Sequence, residues 1–203
     1  MEHRDGADAA LEVRRKLELW LDLLVKWNRV YNLTAIRDRA QMETHHVNDA
    51  LALLPHLAQA ESLRVLDIGT GAGVPGIPVA IARPSWRVVL LDSNQKKIAF
   101  VTQAVAELGL DNVTAVAARA EHWRAETPFD IVVSRAYSDL ASFAIVAARH
   151  VAPEGRIVAM KGAYPAGEIE ALPPEFDVLT TPRLEVPGLD AERHLVVMHH
   201  ARR

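Results

Sequence analysis

Cysteine is absent from all 203 residues of the sequence. A disulfide framework, a metal site built on thiolates and any reaction that needs a cysteine nucleophile are therefore excluded. This composition fits a reducing compartment, and we expect the cytoplasm. No apolar run approaches the length of a membrane-spanning helix. Residues 1–16 carry charges of both signs without the apolar stretch of a signal peptide.

The sequence also lacks the excess of basic residues that is common in dedicated nucleic-acid-binding proteins. Lys and Arg together number 23 and Asp and Glu 26, which gives a formal net charge of −3. This balance argues weakly against RNA or DNA as a partner, and it leaves room for a local basic surface. Internal repeats and low-complexity segments are also missing. The length suits one domain with a modest extension, and no feature requires a dimer, so we expect a monomer.

Two helices are predicted in the first part of the chain. The first covers residues 8–29, where five apolar residues at spacings of three and four form a stripe that we expect to pack on the main domain: Leu17, Trp20, Leu21, Leu24 and Trp27. Residues 31–36 are predicted to be an extended link, and residues 41–57 a second helix with Pro55 near its end. We therefore predict a helical extension over residues 1–62 and a main domain over residues 63–203.

The main domain alternates short apolar runs with helical stretches. We predict strands over 64–68, 87–91, 113–117, 129–134 and 155–160, with helices near 76–83, 94–109 and 139–151. This alternation indicates an α/β fold with a parallel sheet covered on both faces. Residues 177–188 and 192–201 are predicted to be two successive strands joined by a turn, and hence an antiparallel pair. A mostly parallel, seven-stranded sheet that ends in an antiparallel hairpin resembles the class I (Rossmann-like) methyltransferase fold.

The glycine-rich segment after the first strand fits two cofactors. Gly71, Gly73 and Gly76 match the G-x-G-x-x-G fingerprint of dinucleotide-binding folds. Gly69, Gly71 and Gly73 match instead a G-x-G-x-G loop preceded by an acidic residue, Asp67, as in folds that bind S-adenosylmethionine. In the second interpretation the glycines let the backbone pass close to the ligand and adopt positive φ.

Three features favour the methyl donor over NAD. The dinucleotide interpretation leaves Asp67 inside the strand, where an unpaired carboxylate is costly. It also needs a helix N-terminus to hold a pyrophosphate, although Pro75 and Pro78 lack N–H groups. The alternative places Asp67 at the carboxyl edge of the strand, where ligands bind in open sheets. The terminal antiparallel pair is the third feature, because a nicotinamide-binding half more often continues with β-α-β units.

Polar residues also follow the next two strands. Asp92 ends the second strand, and we expect its carboxylate to accept hydrogen bonds from ribose hydroxyls, as it would with either cofactor. A helix cap shared with Ser93 is the alternative role. Ala120 and Glu121 follow the third strand. Glu121 either flanks an adenine pocket or is a solvated turn residue.

Several classes of methyl acceptor are disfavoured because the domain lacks residues that their chemistry uses. Without cysteine there is no C5-pyrimidine chemistry, and residues 134–140, SRAYSDL, lack the two prolines typical of exocyclic-amine enzymes. Lys161 is the only lysine in the second half of the domain, which makes a lysine-rich tetrad for ribose methylation hard to build. A ring nitrogen with a free lone pair, such as guanine N7, needs only positioning. A small-molecule acceptor is the alternative.

Six motifs resemble, in order and spacing, the GidB-type 16S ribosomal RNA guanine-N7 methyltransferases: YNLTAIRDRAQMETHHVNDAL, LDIGTGAGVPGIPVAI, LLDSNQKKIAF, SRAYSDL, MKG and LDAERHLVVM. The resemblance covers about residues 12–200. It implies a bacterial cytoplasmic enzyme that uses S-adenosylmethionine. The implied acceptor is a guanine N7 in the small-subunit rRNA loop beside the decoding centre.

The resemblance also implies donor contacts in the loop and after the next three strands: Gly69, Val74, Asp92, Ser93, Ala120, Glu121 and Arg135. With Asp67, Gly71 and Gly73 from the loop motif, these are the predicted donor-binding residues. Arg135 is predicted to stand between donor and acceptor as a positioning residue, binding the methionine carboxylate or an RNA phosphate through paired hydrogen bonds. No general base is expected.

The remaining candidates are cations and histidines. Lys161 and Arg193 are predicted to contact RNA phosphates, with plain surface charge as the alternative. The adjacent histidines at 45–46 and 199–200 point in different directions and lack the spacing of a metal site, so no metal is predicted. His46 and Asp49 lie three apart on a predicted helix and face the same way, which favours a structural hydrogen bond.

Overall fold

The computed structural model describes residues 2–57, 59–135 and 137–201. Its first element is helix α1 (Glu2–Tyr31), which contains the predicted helix over 8–29 and is longer at both ends. The apolar stripe of α1 packs on the core as predicted, with Trp20 and Leu24 completely inaccessible to solvent and Trp27 partly buried. The stripe packs toward helices of the main domain, so the first helix is held by tertiary contacts as well as by its own hydrogen bonds.

The second predicted helix, over 41–57, is wrong as a single regular element. The chain forms α2 (Arg39–Met42), a π-helical segment over Glu43–Asn48, α3 (Asp49–Leu51) and a short 3-10 turn over Leu54–His56. The 3-10 turn contains Pro55, whose missing N–H prevents the regular helical bond. A π-helical segment is rare and often accompanies a functional site.

Seven strands form one sheet in the order β3-β2-β1-β4-β5-β7-β6. Their bounds are β1 (Arg64–Ile68), β2 (Arg87–Asp92), β3 (Val113–Ala117), β4 (Phe129–Arg135), β5 (Val151–Lys161), β6 (Phe176–Thr180) and β7 (His194–His200). Strands β1 to β5 are parallel, and β7 is antiparallel to both β5 and β6. The predicted seven-stranded sheet with an antiparallel terminal pair is therefore confirmed.

Two details of the sheet differ from the prediction. Strand β6 ends at Thr180 and a long connection precedes β7, because Pro182 and Pro187 cannot donate to a strand ladder. Strand β5 begins at Val151, four residues before the predicted start. Its first part pairs across an irregularity in which Gly155 is required, since a Cβ there would lie 2.9 Å from two carbonyl oxygens of β4.

Helices α4 (Gly76–Ala82), α5 (Gln95–Leu108) and α6 (Leu140–Ala147) connect the parallel strands, and α7 (Ala166–Glu170) follows β5. Local signals fix the ends of α5, because the Asn94 side chain accepts from the first backbone N–H groups and Gly109 closes the helix at φ 57°. The predicted helix over 139–151 is too long. It ends at Ala147, and pairing with β4 converts its last predicted residue into strand.

The core has two parts, one on each face of the sheet. Successive residues of β1 show the alternation: Val65 belongs to the cluster that contains α1, α4 and α5, and Leu66 to the cluster that contains α6. The helical extension and the sheet thus share one hydrophobic cluster, and the boundary between residues 62 and 63 stays a prediction. Among the described residues, no helix is long and apolar enough to cross a membrane.

Candidate functional site

The glycine loop after β1 has the backbone that the G-x-G-x-G interpretation requires. Gly69, Gly71 and Gly73 have φ values of 71°, 60° and 89°, which favour glycine. Gly76 has a different task. It begins α4 against the sheet, where an added Cβ would lie 2.1 Å from the Leu90 side chain. The third glycine of the dinucleotide pattern, Gly76, is therefore explained by the packing of α4 on the sheet.

Asp67 lies beneath this loop and has no exposed surface. Its Oδ2 accepts a hydrogen bond from Thr70 Oγ1 at 2.6 Å and another from the Gly76 N–H at 3.0 Å. Burial raises the pKa of Asp67 to about 6, and the two hydrogen bonds oppose that rise. Asp67 therefore supports the loop from inside the fold, and its direct contact with a donor stays a prediction.

Asp92 joins the end of β2 to the same loop. Its Oδ2 accepts from the Gly71 N–H at 2.9 Å and its Oδ1 from the Asn94 N–H at 2.8 Å. The alternative role, a helix cap shared with Ser93, is wrong, because Asn94 caps α5 with its own side chain. Ser93 is exposed. The carboxylate keeps free lone pairs, since an ionised carboxylate can accept about four hydrogen bonds.

Four of the predicted donor residues line one cavity of about 120 Å³ at the carboxyl ends of the strands, here called the small pocket. Its walls come from β1, β2 and the segments after β3 and β4: Ile68, Gly69, Leu91, Ser93, Ala118, Arg119, Ala120, Glu121 and Tyr137. Gly71, Gly73 and Val74 belong to the adjoining loop without lining the cavity. The side chain of Val74 is buried in the core.

A second cavity of about 380 Å³ brings the three predicted cations together. This arginine pocket is lined by Asp49, Arg135, Met160, Lys161, Gly162 and Arg193. Arg135 ends β4, Lys161 ends β5, and Arg193 directly precedes the antiparallel β7, so all three reach the same edge of the sheet. Both pockets therefore lie at the edge where open α/β sheets bind ligands.

Arg135 is held in the arginine pocket by the helical extension. Its Nη1 donates to the His45 carbonyl oxygen at 2.7 Å and to Asp49 Oδ2 at 3.3 Å. Its Nη2 lies 3.3 Å from His46 Nδ1. Arg193 Nε donates to the other oxygen of Asp49 at 3.1 Å. A guanidinium at the end of β4 is thus fixed by backbone and side chains of the π-helical segment and α3.

Histidine 46 faces Arg135 in a neutral form. Burial, together with the positive charge of Arg135, lowers the pKa of His46 to about 4. Its Nε2 lies 3.1 Å from Thr34 Oγ1, so both ring nitrogens have partners. His46 and Asp49 therefore face the same way, as their spacing predicts, although the intervening helix is not regular.

Lys161 is also paired. Its Nζ donates to Glu168 Oε2 at 2.7 Å, and the same oxygen accepts from the Leu140 N–H at 2.7 Å. The Lys161 side chain is only 15% exposed. Lys161 is thus one side of a partly buried ion pair on the wall of the pocket.

A larger depression of about 640 Å³ lies at the opposite edge of the sheet. Its lining includes Arg64 and Arg87, which begin β1 and β2, and none of the predicted site residues. Cavity size alone would therefore point away from the edge at which the glycine loop, Asp92 and Arg135 meet.

Residues 13–196 match the sequence model of the GidB family, described as rRNA small subunit methyltransferase G. The chain belongs to this family. Proteins named ribosomal RNA small subunit methyltransferase G are similar along most of their length. The one from Neisseria meningitidis is 48% identical over 193 residues, which cover 95% of this chain and 92% of that protein. The one from Chromobacterium violaceum is 52% identical over 182 residues, with 90% and 86% covered.

A solved structure, TrmN from Thermus thermophilus, superposes with a TM-score of 0.60 at 24% identity. The match covers 74% of this chain and 48% of the TrmN chain, and it shows the fold alone. The family model and the named relatives thus confirm the resemblance to GidB proteins. The solved structure agrees with the predicted class I methyltransferase fold.

Sequence reasoning missed parts of both pockets. Tyr137 lines the small pocket, with its ring 5.5 Å from that of Phe143, and burial followed by the charge of Glu121 raises its pKa. Tyr137 lies two residues after the end of β4, so the rule that ligands bind at strand ends could have predicted it. Asp49 is predicted only as a residue with a structural hydrogen bond, and its two arginine partners were missed because they follow it by 86 and 144 residues.

Proposed function

We propose that this member of the GidB family transfers the methyl group of S-adenosylmethionine to N7 of a guanine in 16S rRNA, in the loop beside the decoding centre. The observation that carries the proposal is the pairing of two pockets at one edge of the sheet. The small pocket contains predicted donor residues, and the arginine pocket contains three cations suited to RNA phosphates.

The small pocket suits the adenosine part of the donor. Ile68, Leu91 and the Tyr137 ring offer apolar walls for a flat base, with Ser93 and Glu121 as polar groups. The adjoining Asp92 has acceptor capacity left for ribose hydroxyls after its bonds to the Gly71 and Asn94 N–H groups. The glycines of the loop carry no side chain, which lets the donor lie close to the backbone.

The proposed reaction forms a bond from guanine N7 to the methyl carbon and breaks the bond from that carbon to the donor sulfur. Bound S-adenosylmethionine supplies the methyl group as an electrophile. N7 already carries a lone pair, so the chain has to position the base and exclude water. Methylation of N7 removes no proton, so the reaction needs no base, and the carboxylates of Asp49 and Glu168 are paired with Arg135, Arg193 and Lys161.

Arg135, Arg193 and Lys161 are the proposed RNA contacts. A guanidinium matches a phosphate through two parallel hydrogen bonds, and the ammonium adds a point charge. We propose further that the enzyme acts as a cytoplasmic monomer on 16S rRNA or the small ribosomal subunit. Sedimentation of the purified protein tests the monomer directly.

Methyl transfer to small subunits from cells that lack this enzyme tests the proposal. The subunits are incubated with the protein and methyl-labelled S-adenosylmethionine, and the RNA is then reduced and cleaved with aniline, which cuts at N7-methylguanosine. One labelled cut in the decoding-region loop is the expected result. Label without a cut would refute N7. No label in any rRNA preparation, with donor binding intact, would favour a small-molecule acceptor.

A further inference from the structure

Asp49 is a buried carboxylate shared by two arginines. Its side chain is 2% exposed, and each of its oxygens receives one guanidinium, Oδ2 from Arg135 and Oδ1 from Arg193. The three residues come from separate parts of the fold, since Asp49 begins α3 of the helical extension, Arg135 ends β4 and Arg193 directly precedes β7. The carboxylate therefore connects the extension to both arginines of the pocket.

The hydrogen bonds of Arg135 and Arg193 leave one nitrogen of each guanidinium without a partner among the described residues. A guanidinium has five N–H groups. In the part of the chain that the structure describes, Arg135 Nε and Arg193 Nη2 donate to no partner, while the other nitrogens of both residues are engaged by Asp49, His45, His46 and Glu192. Arg135 Nε and Arg193 Nη2 are thus available to donate hydrogen bonds to a bound acceptor.

The charges of the cluster leave one positive charge in excess. The two guanidiniums carry two positive charges and Asp49 one negative charge. His46 is neutral because burial lowers its pKa to about 4, and Lys161 is balanced by Glu168. One excess positive charge matches one phosphodiester group. Without Asp49, two partly buried guanidiniums would face each other without a counter-charge, and each would lose its orientation.

We propose that Asp49 is the positioning residue of the acceptor site, where it holds Arg135 and Arg193 as a single fork for one phosphodiester of the RNA. This inference rests on the proposed function, because it takes the arginine pocket as the place where RNA binds. A purely structural ion pair would stabilise the fold without affecting methyl transfer by the folded protein.

The test compares the full-length Asp49→Asn variant with wild type on small ribosomal subunits. Asparagine keeps the size of the side chain and one acceptor oxygen but removes the charge. We expect kcat to fall about 30-fold, since the fork loses its orientation. RNA binding at low salt should stay equal or tighten, and its dependence on salt should steepen by about one unit, because a second cation becomes free. The donor Kd should stay within about twofold.

Two further variants support this test. Asp49→Glu keeps the charge on a longer side chain, and we expect kcat between those of wild type and Asp49→Asn. Asp22→Asn is the matched control, because it removes a carboxylate paired with Arg39 on the exposed surface of the same extension. Its kcat, donor Kd and salt dependence should equal those of wild type.

A wild-type kcat and salt dependence in folded Asp49→Asn would overturn the inference, even if its Tm were lower. A donor Kd weakened more than about tenfold would also overturn it, since the cluster would then serve the donor. If Asp49→Asn does not fold, Asp49→Glu and Arg193→Gln carry the test, and an unchanged kcat in both rejects the fork. Failure of the proposed function is distinct, because it appears in wild type as the absence of label in rRNA.

Discussion

The small pocket and the arginine pocket lie at the same edge of the sheet but are held in different ways. The small pocket is formed by strand ends within residues 68–137, and in the loop beside it Asp92 accepts a hydrogen bond from the Gly71 N–H, 21 positions earlier. The arginine pocket is held between side chains, and its longest tie joins Asp49 to Arg193, 144 positions later. The first arrangement uses residues 68–137 of the main domain, whereas the second forms only when the helical extension meets residues near the last strand.

This difference implies that the two pockets can be disrupted separately. Substitutions in the small pocket should weaken donor binding and leave RNA binding intact. Removing one of the cations of the arginine pocket should do the reverse. Measuring donor Kd, RNA Kd and kcat for each variant therefore tests whether the two pockets are independent, as well as the role of each residue.

The largest effect is expected for Asp92→Ala. It removes the carboxylate that we expect to bind the ribose and also the tie to the Gly71 N–H. The loss of two hydrogen bonds to a charged group should weaken donor binding about 100-fold. Isothermal titration calorimetry with S-adenosylmethionine measures this change. RNA binding by the same variant serves as the control, and a parallel loss of RNA affinity would contradict separate pockets.

Arg135→Ala should have the next largest effect. We expect kcat to fall about 30-fold with a smaller change in Tm, since the side chain is part-exposed and its loss removes orientation more than core packing. Single-turnover methyl transfer and thermal unfolding measured on the same preparation separate the two effects. Equal activity per folded molecule would remove Arg135 from the site.

A smaller effect is expected for Lys161→Ala. The loss of one phosphate contact should weaken RNA binding about fivefold and reduce the slope of log Kd against log salt by about one. Lys26→Ala is a matched control, because it removes the same charge from α1, outside both pockets. If both variants shift the slope equally, Lys161 contributes only to the overall charge.

The smallest effects concern pH, and the two regions should differ in sign. Burial raises the pKa of Asp67 from 3.8 to about 6, so between these values the native state binds a proton that the unfolded chain does not. Its contribution to stability is present below pH 4 and is lost as pH rises through about 6. His46 has a pKa lowered from 6.5 to about 4, so its contribution is present above pH 6.5 and is lost as pH falls through 4.

Urea unfolding at pH 5 and pH 7.5 measures these contributions. Relative to wild type, Asp67→Asn should gain stability as pH rises, and His46→Gln should gain stability as pH falls, each by between about 1 and 2 kcal/mol. Stability curves that run parallel to wild type for both variants would show that neither group changes its pKa on folding.

Most of the sheet could be predicted from sequence, because buried parallel strands are continuous apolar runs separated by helices. The bounds of β1 and β3 agree with prediction, and β2 and β4 each extend one residue further. The predictions for the start of β5 and for the helix over 41–57 failed. Pairing with β4 extends β5 toward its N-terminus, and a π-helical segment interrupts the predicted helix. Neither effect can be predicted from the hydrophobic pattern along the chain.

The same limit applies to the site. Gly69, Ser93, Ala120 and Glu121, which the resemblance implies as donor contacts, line one cavity because strand ends in a parallel sheet meet at one edge. The role of Asp49 depends on which side chains it meets across the fold. The residues next to Asp49 in the sequence predict that it lies on a helix, but they do not predict its contacts with Arg135 and Arg193.

Strand β7 has a consequence for the order of folding during synthesis. It lies between β5 and β6, so β6 gains a partner in the sheet only after β7 has been made. Arg193, which directly precedes β7, reaches its carboxylate at the same moment. The residues that line the small pocket end at Tyr137, so a nascent chain contains all of them before it contains Arg193 of the arginine pocket. Synthesis of β7 therefore completes the arginine pocket after all residues of the small pocket have been made.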